Sequence, residues 1–183
     1  MSFQHYKKTV LTRQDKSNKG SIDEPIKELI DTINRKPDYC TTSSCSGRIV
    51  VFPERTNEKK NEMKFTFVSH NKVSVEQITA VIKKHTNTTL WFRYEPAILH
   101  VACSSLEAAE KLLYVARQVF KHSGILSLGK HPVLEIRGSE FIEALVQIEK
   151  KTMQETVNHL CIAANNKLQR THEQIEKLKI KSN

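Results

Sequence analysis

A chain of 183 residues, 38% hydrophobic and 27% charged, is long enough to bury a real core and has the composition of a soluble domain. No apolar run approaches the ~20 residues of a membrane span, the segment MSFQHYKKTVLTRQDKSNKG carries no apolar signal core, and four cysteines without a short-range framework fit a reducing, cytoplasmic setting. Lys and Arg number 29 against 20 Asp and Glu, a net charge of +9, which favours a polyanionic partner, above all nucleic acid.

In chain order, EPIKELIDTIN (24–34) places Ile26, Leu29, Ile30 and Ile33 on one helical face. Pro25 suits the first turn, so Asp23 or Glu24 is the expected N-cap. After the break at RKPDY comes YCTTSSCSGRIVVF (39–52), read as a polar turn at the mouth of a strand GRIVVF. A charged connection, PERTNEKKNEM, leads to a second strand, KFTFVSH, so the two form a hairpin with a long tip. Residues 75–85 make an amphipathic helix through Val75, Ile78, Val81 and Ile82. TLWFRY and ILHVAC are strands joined at Glu95-Pro96. A helix from Ser105 to about Lys121 buries Leu106, Ala109, Leu112, Leu113 and Ala116. SGILSLG and PVLEIR are two further strands.

Helices alternating with strand pairs predict an α+β domain whose sheet is mixed or largely antiparallel and flanked by helices, not a doubly wound parallel sheet. From about Ser139 the chain is expected to turn helical. Met153, Val157, Leu160, Ala164, Leu168, Ile175 and Leu178 trace a stripe at helical spacing. The domain is therefore placed at 1–150 and a C-terminal helical extension at 151–183. The first half of that extension should pack, while its charged end projects, frays or contacts RNA.

The chemistry-bearing residues exclude several classes. Cys40 and Cys45 form one C-x4-C pair with no second pair, so no metal site is expected. Cys45 precedes Arg48 by three residues, unlike a phosphate-cradling thiol loop, and a Cys-His nucleophile pair cannot be read from spacing. No glycine-rich dinucleotide or P-loop motif occurs. The turn SSCSGR can converge backbone N–H groups and hydroxyls on a polar ligand, with Gly47 permitting close approach and Arg48 adding charge; it can equally satisfy its own backbone. Strand alternation in ILHVAC puts His100 on the face opposite Leu99, Val101 and Cys103. Trp91 and Phe92 beside Arg93 could stack a base or pack in the core.

The ordered set DKSNKGSID, TTSSCSGRI, VSH, EPAILHVAC, HSGI and EIRGS resembles the tRNA wybutosine-synthesising protein 3 family over about Lys7 to Ser139. The resemblance implies a non-Rossmann, S-adenosylmethionine-dependent methyltransferase. Its substrate would be the aminocarboxypropyl-demethylwyosine intermediate beside the anticodon of phenylalanine tRNA, methylated on a ring nitrogen, N4. It also implies a pocket in which Ser43, Ser44, Cys45, Ser46, Gly47, His70, Ser123, Gly124 and Ile125 bind the cofactor. Lys19, Asp23, Glu95, Arg137 and Ser139 would bind the substrate, and His100, Asp15 and Arg48 are the catalytic candidates. A non-catalytic tRNA-binding protein of the same fold is the alternative, and a thiol-dependent transferase at Cys45 a third class.

Overall fold

The structure, a computed structural model, describes residues 2–12, 21–54 and 65–182. Its elements are α1 (Phe3–Leu11), α2 (Glu24–Arg35), β1 (Tyr39–Cys45), β2 (Arg48–Pro53), β3 (Phe67–Ser69), α3 (Val75–Lys83) and β4 (Leu90–Glu95). There follow β5 (Ile98–Cys103), α4 (Leu106–Arg117), β6 (Gly124–Ser127), β7 (Val133–Arg137), β8 (Ile142–Ile148), β9 (Lys151–Thr152) and α5 (Gln154–Ser182). Every strand pairing described is antiparallel, so the α+β, antiparallel expectation holds. The strands form two sheets, ordered β1-β5-β7-β6 and β3-β2-β4-β8-β9, in two compact units. None of the described helices is long and apolar enough to cross a membrane.

The first unit comprises Met1–Ser46, Ala97–Ser139 and Thr171–Asn183. One face of its four-stranded sheet carries Leu99, Val101 and Cys103 of β5 with Leu134 and Ile136 of β7. These pack with Ile26, Leu29, Ile30 and Ile33 of α2, with Ala109, Leu112 and Ala116 of α4, and with Ile175 and Leu178 of α5. The α2 stripe is the one read from 24–34, and its N-cap is Asp23. Lys7 of α1 fastens that helix to the unit: its Nζ donates to the carbonyls of Asn34 and Lys36, each at 2.6 Å, at the end of α2, and burial pushes its pKa down.

The second unit comprises Gly47–Pro96 and Glu140–Arg170. Ile49 and Val51 of β2, Phe92 and Tyr94 of β4, and Val146 of β8 form its core with Ile78 and Ile82 of α3. Val157, Cys161, Ala164 and Leu168 of α5 complete it. The expected hairpin is present, with Ile49 opposite Ser69 and Val51 opposite Phe67. A reciprocal capping box of Ser74 and Gln77 starts α3.

Three local expectations are corrected. The polar segment 39–45 is not a turn but strand β1, at the edge of its sheet. An edge strand can leave hydroxyls in water while Cys40 is fully buried, and the actual bend is at Ser46-Gly47, where Gly47 has φ 95°. Residues 142–148 are strand, not helix. Their Glu, Ala and Leu favour a helix, yet alternation puts Ile142 and Val146 against the core and pairing with β4 wins. Finally, the C-terminal end does not project. Ile175 and Leu178 are buried, Lys179 pairs with Glu28 at 2.6 Å, and Lys181 donates to Gln118. Helix α1 carries no stripe strong enough to read and escaped the sequence analysis.

Candidate active site

The bend of β1 sets the geometry. Thr41 lies opposite Val101 and Ser43 opposite His100, so Thr42 is an extra residue, a bulge. Beyond it Ser43 shares a face with His100, whereas the regular ladder on the other side buries Cys40. The next strand places Glu135 of β7 opposite His100, and the last places Gly124 of β6 opposite Glu135. Ser43, His100, Glu135 and Gly124 thus form one row across all four strands, on the face away from Leu99, Val101 and Cys103.

The row is bonded through. Ser43 Oγ lies 2.9 Å from His100 Nδ1, and His100 Nε2 lies 3.1 Å from Glu135 Oε2. His100 and Glu135 are half-buried, with side chains 26% and 22% exposed, enough for a ligand to reach them. Space is left at Gly124, where an added Cβ would meet nothing within 4 Å. Alternation brings Cys45 and Arg137, each facing Ile98 in the register, to the same face, and Arg137 is exposed.

Other residues expected at the site turn inward or pair locally. Ser46 is fully buried and its N–H and Oγ both donate to Asp23 Oδ2, at 3.0 and 3.2 Å. Asp23 therefore holds the bend after β1. Ser123 is buried, with its Oγ donating to the Phe120 carbonyl at 2.7 Å, and Ile125 packs at the margin of the core. Ser44 stands opposite Leu99, and Ser139 is exposed past the end of β7. Asp15 and Lys19 lie outside the described residues.

In the second unit, His70 Nδ1 is 3.0 Å from the Gly47 carbonyl; a carbonyl only accepts, so that nitrogen carries the proton. Arg48 Nε donates to Glu95 Oε2 at 2.6 Å, and its guanidinium sits 4.9 Å from the Phe65 ring centroid. Arg93 donates to Glu95 at 3.2 Å, pairs with Glu143 and lies over Phe52.

Of the three bonded residues, the motifs single out Ser43 and His100 as site candidates but not Glu135. Two signals marked Glu135, its place in the alternating run VLEIR and its position at the head of the motif EIRGS. Burial pushes the Cys103 thiol up to about 12 and raises Cys40 and Cys161 by the same desolvation, which makes these three poor nucleophiles.

Comparison with known proteins places these residues in context. A 35% identical enzyme of Pyrococcus horikoshii, aligned over 187 residues, covers 100% of this chain and 95% of its own length. It is named tRNA(Phe) 7-((3-amino-3-carboxypropyl)-4-demethylwyosine(37)-N(4))-methyltransferase 1. The tRNA wybutosine-synthesizing protein 3 homolog of Danio rerio is 36% identical over 148 residues, 78% of this chain but only 58% of the zebrafish protein. A solved structure from Pyrococcus horikoshii superposes with a TM-score of 0.90 at 35% identity, covering 100% of this chain and 96% of that one. A protein of Aeropyrum pernix shares the fold, with a TM-score of 0.75 at 24% identity over 87% of this chain and 96% of that one. The family model for Methyltransferase TYW3 matches residues 4–181, which takes in all but the outermost residues of α1 and α5 and all four residues of the transverse row. This chain belongs to the methyltransferase TYW3 family.

Proposed function

We propose that this chain methylates N4 of the 7-(3-amino-3-carboxypropyl)-4-demethylwyosine intermediate in tRNA(Phe), with S-adenosylmethionine as donor, in the cytoplasm. The observation that carries the reading is the row Ser43–His100–Gly124, in which three separate sequence motifs meet on one accessible face. Residues on that face suit the donor. Gly124 leaves room for its bulk, the β1 hydroxyls of Thr42 and Ser43 are exposed polar groups, and Arg137 offers a cation to its carboxylate.

The donor supplies an electrophilic methyl group, so the protein needs no nucleophile of its own. The reaction asks for an aligned ring nitrogen, an environment drier than bulk water and an acceptor for the proton that the methyl replaces. The hydroxyls and Gly124 position, and His100 accepts. Ser46, Asp23 and Ser123 act indirectly, by fixing the backbone at the end of β1 and the start of β6. Gly47, with His70 on its carbonyl, and Arg48, held by Glu95, do the same at the start of β2.

The test is incubation with methyl-labelled S-adenosylmethionine and tRNA from a strain lacking the activity, followed by nucleoside analysis. Label in the tricyclic nucleoside beside the anticodon supports the proposal. Retention of tRNA with no label transfer would instead leave a binding protein of the same fold.

A further inference from the structure

Glu135 belongs to none of the roles assigned above, and its contact with His100 determines which nitrogen of that ring carries a proton. A carboxylate only accepts, so the 3.1 Å approach of Glu135 Oε2 puts the proton on His100 Nε2. Nδ1 then presents a lone pair, and the Ser43 hydroxyl at 2.9 Å donates to it. The bulge at Thr42 is what brings Ser43, not Thr42, opposite the ring. A free neutral histidine leans to this tautomer but populates both, and the two contacts hold His100 in the one.

We infer that Ser43, His100 and Glu135 form a proton relay for methyl transfer, with Ser43 Oγ the atom that meets the substrate and Glu135 a positioning residue. This rests on the methyltransferase reading and specifies where its proton goes. The ring nitrogen of a demethyl base carries hydrogen where the product carries methyl. As the C–N bond forms and the C–S bond breaks, the sulfonium becomes a neutral thioether and the N–H bond is given up. Ser43 Oγ takes that proton while passing its own to His100 Nδ1, and the resulting imidazolium faces the Glu135 carboxylate. Atoms and charge balance without a metal, an oxidant or a covalent enzyme intermediate. The same groups activate a nucleophilic serine in hydrolases. Here the methyl donor is already the electrophile, so the serine conducts a proton.

Two variants separate orientation from charge. Glu135→Gln keeps an acceptor for Nε2–H but removes the charge, whereas Glu135→Ala removes both. Both keep β7 in register, because the side chain lies on the accessible face, and circular dichroism checks the fold. Nitrogen NMR of labelled histidine in the free protein should show His100 as the Nε2–H tautomer in wild type and Glu135→Gln, and as a mixture in Glu135→Ala. Turnover in Glu135→Ala should fall roughly ten- to a hundredfold with little change in KM for tRNA, as when the partner orienting a working histidine is lost. In a His100→Ala background the same change should cost nothing further. An unchanged tautomer in Glu135→Ala, an undiminished effect without His100, or methyl found on the Ser43 peptide by mass spectrometry would each overturn the relay. Failure of the wild-type protein to methylate tRNA would sink the functional reading alone, since the tautomer is read without substrate.

Discussion

The guanidinium of Arg48 meets Glu95 at 2.6 Å and lies over Phe65, so its charge is balanced locally and its stem is packed. Its removal acts through position: Glu95 keeps Arg93, but the first residue of β2 loses its anchor. Cys45 lies on the same face as Ser43 and His100, opposite Ile98. Arg48→Ala is therefore expected to lower turnover well beyond Cys45→Ser, measured as single-turnover methylation on folded protein. Equal loss in both would return a thiol to the mechanism. At this scale the sequence displays side-chain types and motifs, and Ser43, Gly47, Arg48 and His100 were legible as such. Glu135 heads the motif EIRGS, but its meaning arises only when antiparallel register sets it opposite His100. Ser123 shows the converse. Its motif stands out in the sequence, yet its hydroxyl bonds back to Phe120 at the end of α4.

Strand β8 was read as helix because its residues favour one; what holds it in the sheet is partly a buried side chain. Gln147, 2% exposed, donates to the carbonyls of His85 and Thr88, at 2.6 and 2.9 Å, and accepts from Thr152 Oγ1 at 3.1 Å. It thereby ties the α3–β4 connection to β8 and β9. Gln147→Leu keeps the bulk but leaves those carbonyls short of donors, at about 1–3 kcal/mol for each buried unsatisfied group. Chemical denaturation should show a loss of that order, and a loss below a few tenths would mean water replaces the bonds. Glu140, just ahead of β8, is hydrogen-bonded by Arg170 and also by Lys167 of α5, and its carboxyl is held below the usual range. A depressed carboxylate stabilises the fold above its unfolded-state pKa and loses that contribution as pH falls through the folded-state value. Glu140→Gln should thus lower the melting temperature at neutral pH and differ less from wild type in acid. All three side chains are partly exposed, so the effect is of the order of 1 kcal/mol or less and shrinks with salt. A pH-independent difference would point to packing instead.

For the whole molecule the charge of +9 is the property a tRNA would sense first. The cations of α5 are largely engaged: Lys167 and Arg170 with Glu140, and Lys179 with Glu28 and Glu176. By contrast Lys83, Lys84, Lys150 and Lys151 are exposed beside the connections that Gln147 joins. Binding of tRNA should weaken linearly in log affinity against log salt, by roughly 0.7–0.9 for each phosphate neutralised. Neutralising those four lysines should flatten that slope more than neutralising Lys167, Arg170 and Lys179, as followed by filter binding across salt. A larger change from the α5 residues would restore the helix end as the RNA contact.

The single helix α5 gives Leu168 to one core and Leu178 to the other. On the ribosome this makes the synthesis of α5 decisive. Strands β2 and β4 emerge long before β8, and the first unit waits for Leu178 even after its four strands are made. Apolar strands therefore stay exposed in the nascent chain until α5 clears the exit tunnel, the period when chains of this kind aggregate or recruit chaperones. Stalled nascent chains should gain protease resistance only when the stall site lies far enough past Leu178 for α5 to emerge. Slowing synthesis just before α5 should prolong the vulnerable interval without altering a single contact of the finished protein.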